Sequence, residues 1–250
     1  MTRSIARICI ALVCFFFWLG SSQAQSCITP PPGIVSWYPG DGNANDFLGA
    51  RNGALQNGAA FAAGKVGLAF SLNGVNQFVA LPANLLPYPA QGSDSTAPLS
   101  VDAWFRTTAG GVILGQQANV SPPAIPNGAV PAVYVGTDGM LYVELFWGGV
   151  VAPFSSAPRK VNDGVFHHVA VTFDGTLEQV YLDGVLIGSA SFRQVGYAAN
   201  YQYQIGTGFT QNWPAGNGGY SASGMVNFTR ALAHVEFAAT PSGSPRFCAN

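Results

Sequence analysis

Asp163-Gly164-Val165-Phe166-His167-His168-Val169-Ala170-Val171-Thr172-Phe173-Asp174-Gly175, followed shortly by Val180-Tyr181-Leu182-Asp183-Gly184-Val185-Leu186-Ile187, is the stretch that decides the fold. His167, Val169, Val171 and Phe173 alternate with His168, Ala170 and Thr172, which is the period of a strand and not of a helix. Asp183-Gly184 accepts the left-handed backbone of a two-residue turn, so the apolar runs on either side fold back as an antiparallel hairpin.

The same signals extend outward along the chain. Ala132-Val133-Tyr134-Val135 and Leu141-Tyr142-Val143-Glu144-Leu145-Phe146 flank a turn containing Asp138-Gly139, a second hairpin. Leu68, Phe70 and Leu72 fall on one face of a strand, and Phe78 to Leu81 form the next. Val101, Ala103 and Phe105 share one face of another, with Asp102, Trp104 and Arg106 opposite. Gly115 to Ala129 and Gly206 to Gly224 read as long loops, and Arg230 to Glu236 as the best candidate for a short helix. Many short strands with glycine-rich turns and no internal repeat close as a sandwich or barrel.

At the start, Arg3 and Arg7 precede an apolar run from Ile8 to Leu19, and Ser22-Gln23-Ala24 offers small residues to a signal peptidase. A dozen apolar residues fall short of the ~20 that cross a bilayer as a helix. Residues 1–24 therefore read as a secretory signal, and residues 25–250 as one domain that is secreted, periplasmic or on the cell surface, with no transmembrane segment after cleavage. Lipoprotein processing at Cys27 is the alternative. Removing the two arginines takes the formal net charge from −1 to −3, and no Lys/Arg cluster remains, which argues against nucleic acid as a partner. Charged residues make up 8% of the chain, against ~25% in ordinary soluble domains, so Asn, Gln, Ser, Thr and exposed backbone must supply solubility. Cys9 and Cys14 leave with the signal. Cys27 and Cys248 remain at the two ends and read as a disulfide in an oxidising compartment.

Four blocks, in order, resemble the laminin-G-like jellyroll domains of secreted bacterial proteins, within the concanavalin A-like lectin/glucanase class. They are Val35 to Asp46, Gly64 to Val79, Leu99 to Arg106, and the quoted Asp163 to Gly184 block. The resemblance implies an all-β, two-sheet antiparallel β-sandwich, and it speaks for fold more than for function. It also implies that first and last strands are neighbours, bringing Cys27 and Cys248 together. Asn73, Asn76 and Gln77 stand where relatives often carry Asp, and Gly224 to Leu232 resembles the closing strand without its acids.

Asp41, Asn43, Asn45 and Asp46 offer closely spaced oxygens of the kind calcium takes, although Asp and Asn also serve loops through their own backbone bonds. No cofactor is required by the sequence; Ca2+ at Asp41, Asn43 and Asp46 is the one candidate. On a strand His167 and His168 point to opposite faces and cannot share an ion. Glycosidases need two carboxylates across one cleft, and Glu144, Glu178 and Glu236 lie in no closely spaced acidic motif. No catalytic residue is assigned. Trp147, Phe209, Trp213 and Tyr220 lie in or near glycine-rich loops, where an aromatic face stacks on a sugar ring. Trp213 is expected to be exposed, with Asn212 and Asn217 beside it as hydrogen-bonding groups. The sequence thus favours a non-enzymatic binding or adhesion module for a glycan or an extracellular protein. A structural, self-assembling surface protein and a glycoside hydrolase with an unfamiliar site are the alternatives.

Overall fold

The computed structural model describes residues 33–83, 85, 98–118, 122–145, 151–191, 201–222 and 225–232, with backbone alone at 221–222 and 225–232. Every regular element among them is a strand. In chain order they are β1 (Ile34–Tyr38), β2 (Ala54–Gln56), β3 (Ala60–Ala63), β4 (Leu68–Ser71), β5 (Phe78–Leu81), β6 (Leu99–Arg106), β7 (Gly111–Ala118), β8 (Ala129–Val135), β9 (Met140–Val143), β10 (Phe154–Lys160), β11 (His167–Phe173), β12 (Leu177–Leu182), β13 (Val185–Ser191), β14 (Tyr201–Ile205), β15 (Thr207–Phe209), β16 (Tyr220–Ala222) and β17 (Met225–Leu232).

They form two sheets. The first runs β13-β12-β11-β6-β17-β4-β3, and the second β10-β9-β8-β7-β14-β5-β2 with β15 and β16 attached. β17 pairs with β4 through its first residues and with β1 through its last, so the first and last strands are neighbours, with Ile34 opposite Leu232. Both hairpins form as their turn residues require. β12 and β13 meet at Asp183 (φ 50°) and Gly184 (φ 80°), the two positive φ values of the tight turn. β8 and β9 meet through Asp138-Gly139.

Alternation places Val101, Ala103 and Phe105 of β6, Val169, Val171 and Phe173 of β11, and Val180 and Leu182 of β12 on one inner face. Val133, Val135, Leu141, Val143 and Ile205 face them from the second sheet. Phe70, Phe105 and Phe173 are buried, and each such side chain contributes about 2–3 kcal/mol by leaving water. Glu178 ties the layers together where they meet, its Oε1 accepting the N–H of Leu145 at 3.2 Å.

Several sequence expectations need correction. Gly115 to Ala118 belong to β7 and Ala129 to β8, so the loop between them is 119–128. The stretch read as one loop from Gly206 to Gly224 contains β15 and β16. Arg230 to Leu232 lie in β17 and not in a helix, because the pairing with β1 and β6 outweighs the local helical signal; 233–236 lie outside the described residues. Leu68 is not buried with Phe70 and Leu72. It is exposed at the entrance of β4, where its N–H is held by Asp41. Residues 1–24, read as a signal, and Cys27 and Cys248 lie outside the described residues.

Candidate functional site

The strongest candidate lies on the outer face of the second sheet, where β15, β16 and the turn between them cross β7 and β8. Glycine permits the approach. A Cβ on Gly115 of β7 would lie 2.8 Å from the Thr207 carbonyl oxygen, and one on Gly208 would lie 2.8 Å from Cγ1 of Val112. The crossing segment is then anchored at both ends. Tyr134 of β8 donates its phenol to the Pro214 carbonyl at 2.7 Å, and the Thr137 N–H donates to Ala215 at 2.8 Å. At the other end Gln117 Nε2 donates to the Tyr220 hydroxyl, which donates in turn to the Ala124 carbonyl, each at 2.7 Å.

The anchored turn completes a row of three aromatic rings. Trp213 meets Tyr134 edge-on, with centroids 6.4 Å apart and planes at 84°, and Tyr134 stacks on Tyr142 at 5.1 Å and 13°. Tyr134 is buried, while Trp213 and Tyr142 are half-exposed. Asp138 closes the row. Its Oδ2 accepts the Tyr142 hydroxyl at 2.7 Å and its Oδ1 the Met140 N–H at 3.0 Å. Burial first, then neighbouring groups including the Glu144 and Asp138 carboxylates, pushes the Tyr134 phenol far above its usual range; burial and the Asp138 bond raise that of Tyr142. Both hydroxyls therefore stay protonated, as donors, at physiological pH. Half-exposed ring faces beside fixed hydroxyl, carboxylate and amide groups are the chemistry that recognises a sugar ring.

The residues expected from sequence fall as follows. Trp213 is half-buried against Tyr134 and the core, not projecting, because the turn is pulled down by the bonds to Pro214 and Ala215. Asn212 is exposed beside it, with φ of 66°. Asn217 lies in the same turn with its amide committed: Oδ1 accepts Thr210 Oγ1 at 2.8 Å and the Gly219 N–H at 3.0 Å, while Nδ2 donates to Tyr220. Tyr220 is half-exposed and packs edge-on against Phe209 at 5.3 Å. Trp147 lies outside the described residues. Sequence reasoning missed Tyr134, Tyr142 and Asp138. The signal is in the alternation, since Asp138, Met140 and Tyr142 alternate with the core residues Leu141 and Val143 and so fall on the outward face of that hairpin.

The Asp41 to Asp46 segment is built around one buried carboxylate. Asp46, 3% exposed, accepts the N–H groups of Trp37 (2.9 Å) and Leu48 (3.2 Å) on Oδ1 and of Arg51 (3.1 Å) on Oδ2. Asp41 bonds to the Leu68 N–H at 2.8 Å, and Asn43 to the Asn45 N–H at 2.8 Å. These oxygens serve separate backbone donors. No group of three or more His, Cys, Asp or Glu suited to a metal ion occurs among the described residues.

His167 and His168 point to opposite faces, as expected of a strand. His167 is buried, with Nδ1 2.8 Å from Asp183 Oδ2 and Nε2 3.1 Å from Asp163 Oδ1; Arg159 of β10 also pairs with Asp183. Both ring nitrogens face carboxylates, and the link between the two sheets at this end is the pairing of Arg159 in β10 with Asp183 in the β12–β13 turn. Asp183 feels burial, which raises its carboxyl, but the His168 N–H, His167 and Arg159 outweigh this and hold it below the usual range. Asp163 is held low by the Val165 N–H above all. On the other face His168 packs against Trp104 at 4.9 Å and lies 3.5 Å from Asp102.

Comparison with known proteins places these features. Residues 73–228 match the family model Laminin_G_3, described as the concanavalin A-like lectin/glucanases superfamily. Curated proteins give no match. Similar solved structures include domain 4 of AbnA, a GH43 extracellular arabinanase from Geobacillus stearothermophilus, in complex with arabinotriose. It is 21% identical with TM-score 0.51, over 80% of this chain and 92% of that one. Trypanosoma rangeli sialidase is 15% identical with TM-score 0.51, over 82% of this chain but 31% of its own length, so this chain spans less than a third of that enzyme. At these identities the structures share a fold. Strand order, sheet pairing and the family match over most of the sandwich agree, and the chain belongs to the concanavalin A-like lectin/glucanases superfamily.

Proposed function

We propose that this protein is a non-catalytic extracellular module that binds carbohydrate on the outer face of the second sheet. The row Trp213, Tyr134 and Tyr142, bordered by Asp138 and the exposed Asn212, carries the reading. Trp213 and Tyr142 supply the ring faces; Asp138 and Asn212 supply acceptors and donors for hydroxyls. A binding role fits better than hydrolysis because the nearby acids already have partners, Asp138 in Tyr142 and Met140, and Glu144 in the Ala152 N–H at 2.9 Å. His167 is likewise held between Asp163 and Asp183. Export with cleavage after Ala24 and a Cys27–Cys248 disulfide belong to the same reading. The pairing of Ile34 with Leu232 supports the disulfide, since the described strands nearest in sequence to the two cysteines are neighbours.

The arabinanase domain of the same fold was solved with arabinotriose, which makes arabino-oligosaccharides the first ligands to try. A glycan array followed by calorimetry should show binding by the native protein, and Trp213→Ala or Tyr142→Ala should weaken it about 5- to 30-fold, the loss expected from an aromatic contact of about 1–2 kcal/mol. Absence of any glycan ligand, or affinity unmoved by both substitutions, would sink the proposal.

A further inference from the structure

Five Asn-Gly pairs occur in the chain, at 52, 57, 73, 127 and 217, and their side chains are held very differently. In an Asn-Gly pair the glycine main-chain nitrogen can attack the asparagine carboxamide, provided the side chain is free to swing onto it. Four of the five are restrained. Asn52 Oδ1 accepts the Asp46 N–H at 3.1 Å, and the attacking nitrogen, that of Gly53, is bonded to Ala44 at 2.8 Å. Asn57 donates Nδ2 to Asn76 at 2.7 Å. Asn73 Oδ1 accepts three N–H groups, those of Val75, Asn76 and Gln77, and its Nδ2 donates to Asn76 Oδ1. Asn217 is locked to Thr210, Gly219 and Tyr220.

Asn127 differs. It is exposed, in the loop between β7 and β8, and its side chain makes no hydrogen bond among the described residues. We propose that Asn127 is a site of spontaneous deamidation and that its conversion slackens the loop over the second sheet. The Gly128 nitrogen gives up its proton to solvent and bonds to Cγ of Asn127; the Cγ–Nδ2 bond breaks and Nδ2 leaves as ammonia, with a proton from solvent. Water then opens the resulting succinimide at either carbonyl, leaving aspartate or isoaspartate at position 127. The net change is amide plus water to acid plus ammonia.

The position is sensitive to this change. The Gly128 carbonyl accepts the Ala118 N–H at 2.9 Å, and a Cβ on Gly128 would lie 2.3 Å from the Tyr201 hydroxyl, so the backbone there is closely fitted. Isoaspartate inserts a methylene into that backbone. The same loop supplies the Ala124 carbonyl that anchors Tyr220, so the added length acts on one end of the crossing segment.

The test is to incubate the folded full chain at mildly alkaline pH, digest it at intervals and follow each Asn-Gly peptide by mass spectrometry, with a parallel sample in denaturant. Position 127 should convert an order of magnitude faster than the other four in the folded protein, the five should converge when unfolded, and Asn127→Gln should abolish the fast phase. Equal conversion at a second pair in the folded protein, or a fast phase that survives in Asn127→Gln, would overturn the proposal.

Discussion

The Tyr134 hydroxyl reaches 2.7 Å to the carbonyl of Pro214, so a residue of the sheet holds down the turn that carries Trp213. Tyr134→Phe deletes this bond and keeps the ring that stacks on Tyr142. The expected loss is about 1 kcal/mol of stability, the net worth of one such bond. Hydrogen exchange should quicken at the amides of Thr137 and Gly216, which close the same turn. Unchanged exchange at both would show that Thr137 anchors the turn alone.

Asp183 gathers His167, Arg159 and the His168 N–H at the junction of the sheets. Its carboxyl titrates lower in the fold than in the unfolded chain, so the stability it contributes is complete above the ordinary carboxylate value of about 4 and is lost as pH falls through and below it. Denaturation midpoints of the native protein should therefore decline below that value. Asp183→Asn should cost about 2 kcal/mol at neutral pH, as for hydrogen bonds to a charged group, and flatten the acid limb. A variant with an equally steep acid limb would place that titration elsewhere.

Gln116 faces the core from β7, opposite Tyr203, at 2% exposure, and neither its Oε1 nor its Nε2 has a partner among the described residues. Burying an unpaired amide opposes folding by about 1–3 kcal/mol. Gln116→Met keeps the length and removes the polar atoms, so chemical denaturation should show a gain of about 1 kcal/mol. A loss would mean that water held in the core satisfies the amide.

Asp46 bonds three backbone N–H groups at once. Asp46→Ala removes the acceptor from the buried Trp37 N–H and from the part-buried N–H groups of Leu48 and Arg51, and should destabilise the protein by about 2–3 kcal/mol. With the oxygens of Asp41, Asn43 and Asp46 serving separate donors, a chelator should leave the Tm of the native protein unchanged. A fall in Tm on chelation, restored by calcium, would assign these residues to a cation.

Most of the sandwich was legible because its strands obey a period that burial enforces: His167 to Phe173 and Val101 to Phe105 have one face that must be apolar. The turns at Asp183-Gly184 and Asp138-Gly139 were legible through their backbone demands. β15 and β16 were not, since Thr207-Gly208-Phe209 and Tyr220-Ser221-Ala222 become strands by pairing with each other across the intervening turn, with Ala222 also meeting Val112 of β7, and neither pairing has a local signature. Trp213, flanked by Asn212 and Pro214, reads as an exposed loop residue, and long-range contacts with β8 and the Thr137 that follows it draw it onto the sheet: the bonds from Tyr134 and Thr137 to Pro214 and Ala215, and its edge-on packing against Tyr134. Asp46 is similar: its carboxylate accepts three N–H groups from residues on both sides of it in the chain, an arrangement that no local pattern announces.

The antiparallel pairing of β1 with β17 also has a mechanical meaning. Ile34 and Leu232 sit opposite one another, so a force drawing the two chain ends apart pulls on one end of a strand pair. The hydrogen bonds of that pair then break in succession, like a zipper, instead of sharing the load in shear. A sandwich tethered at both ends would peel open from β1, and a covalent link between Cys27 and Cys248 would carry the tension past the sheet.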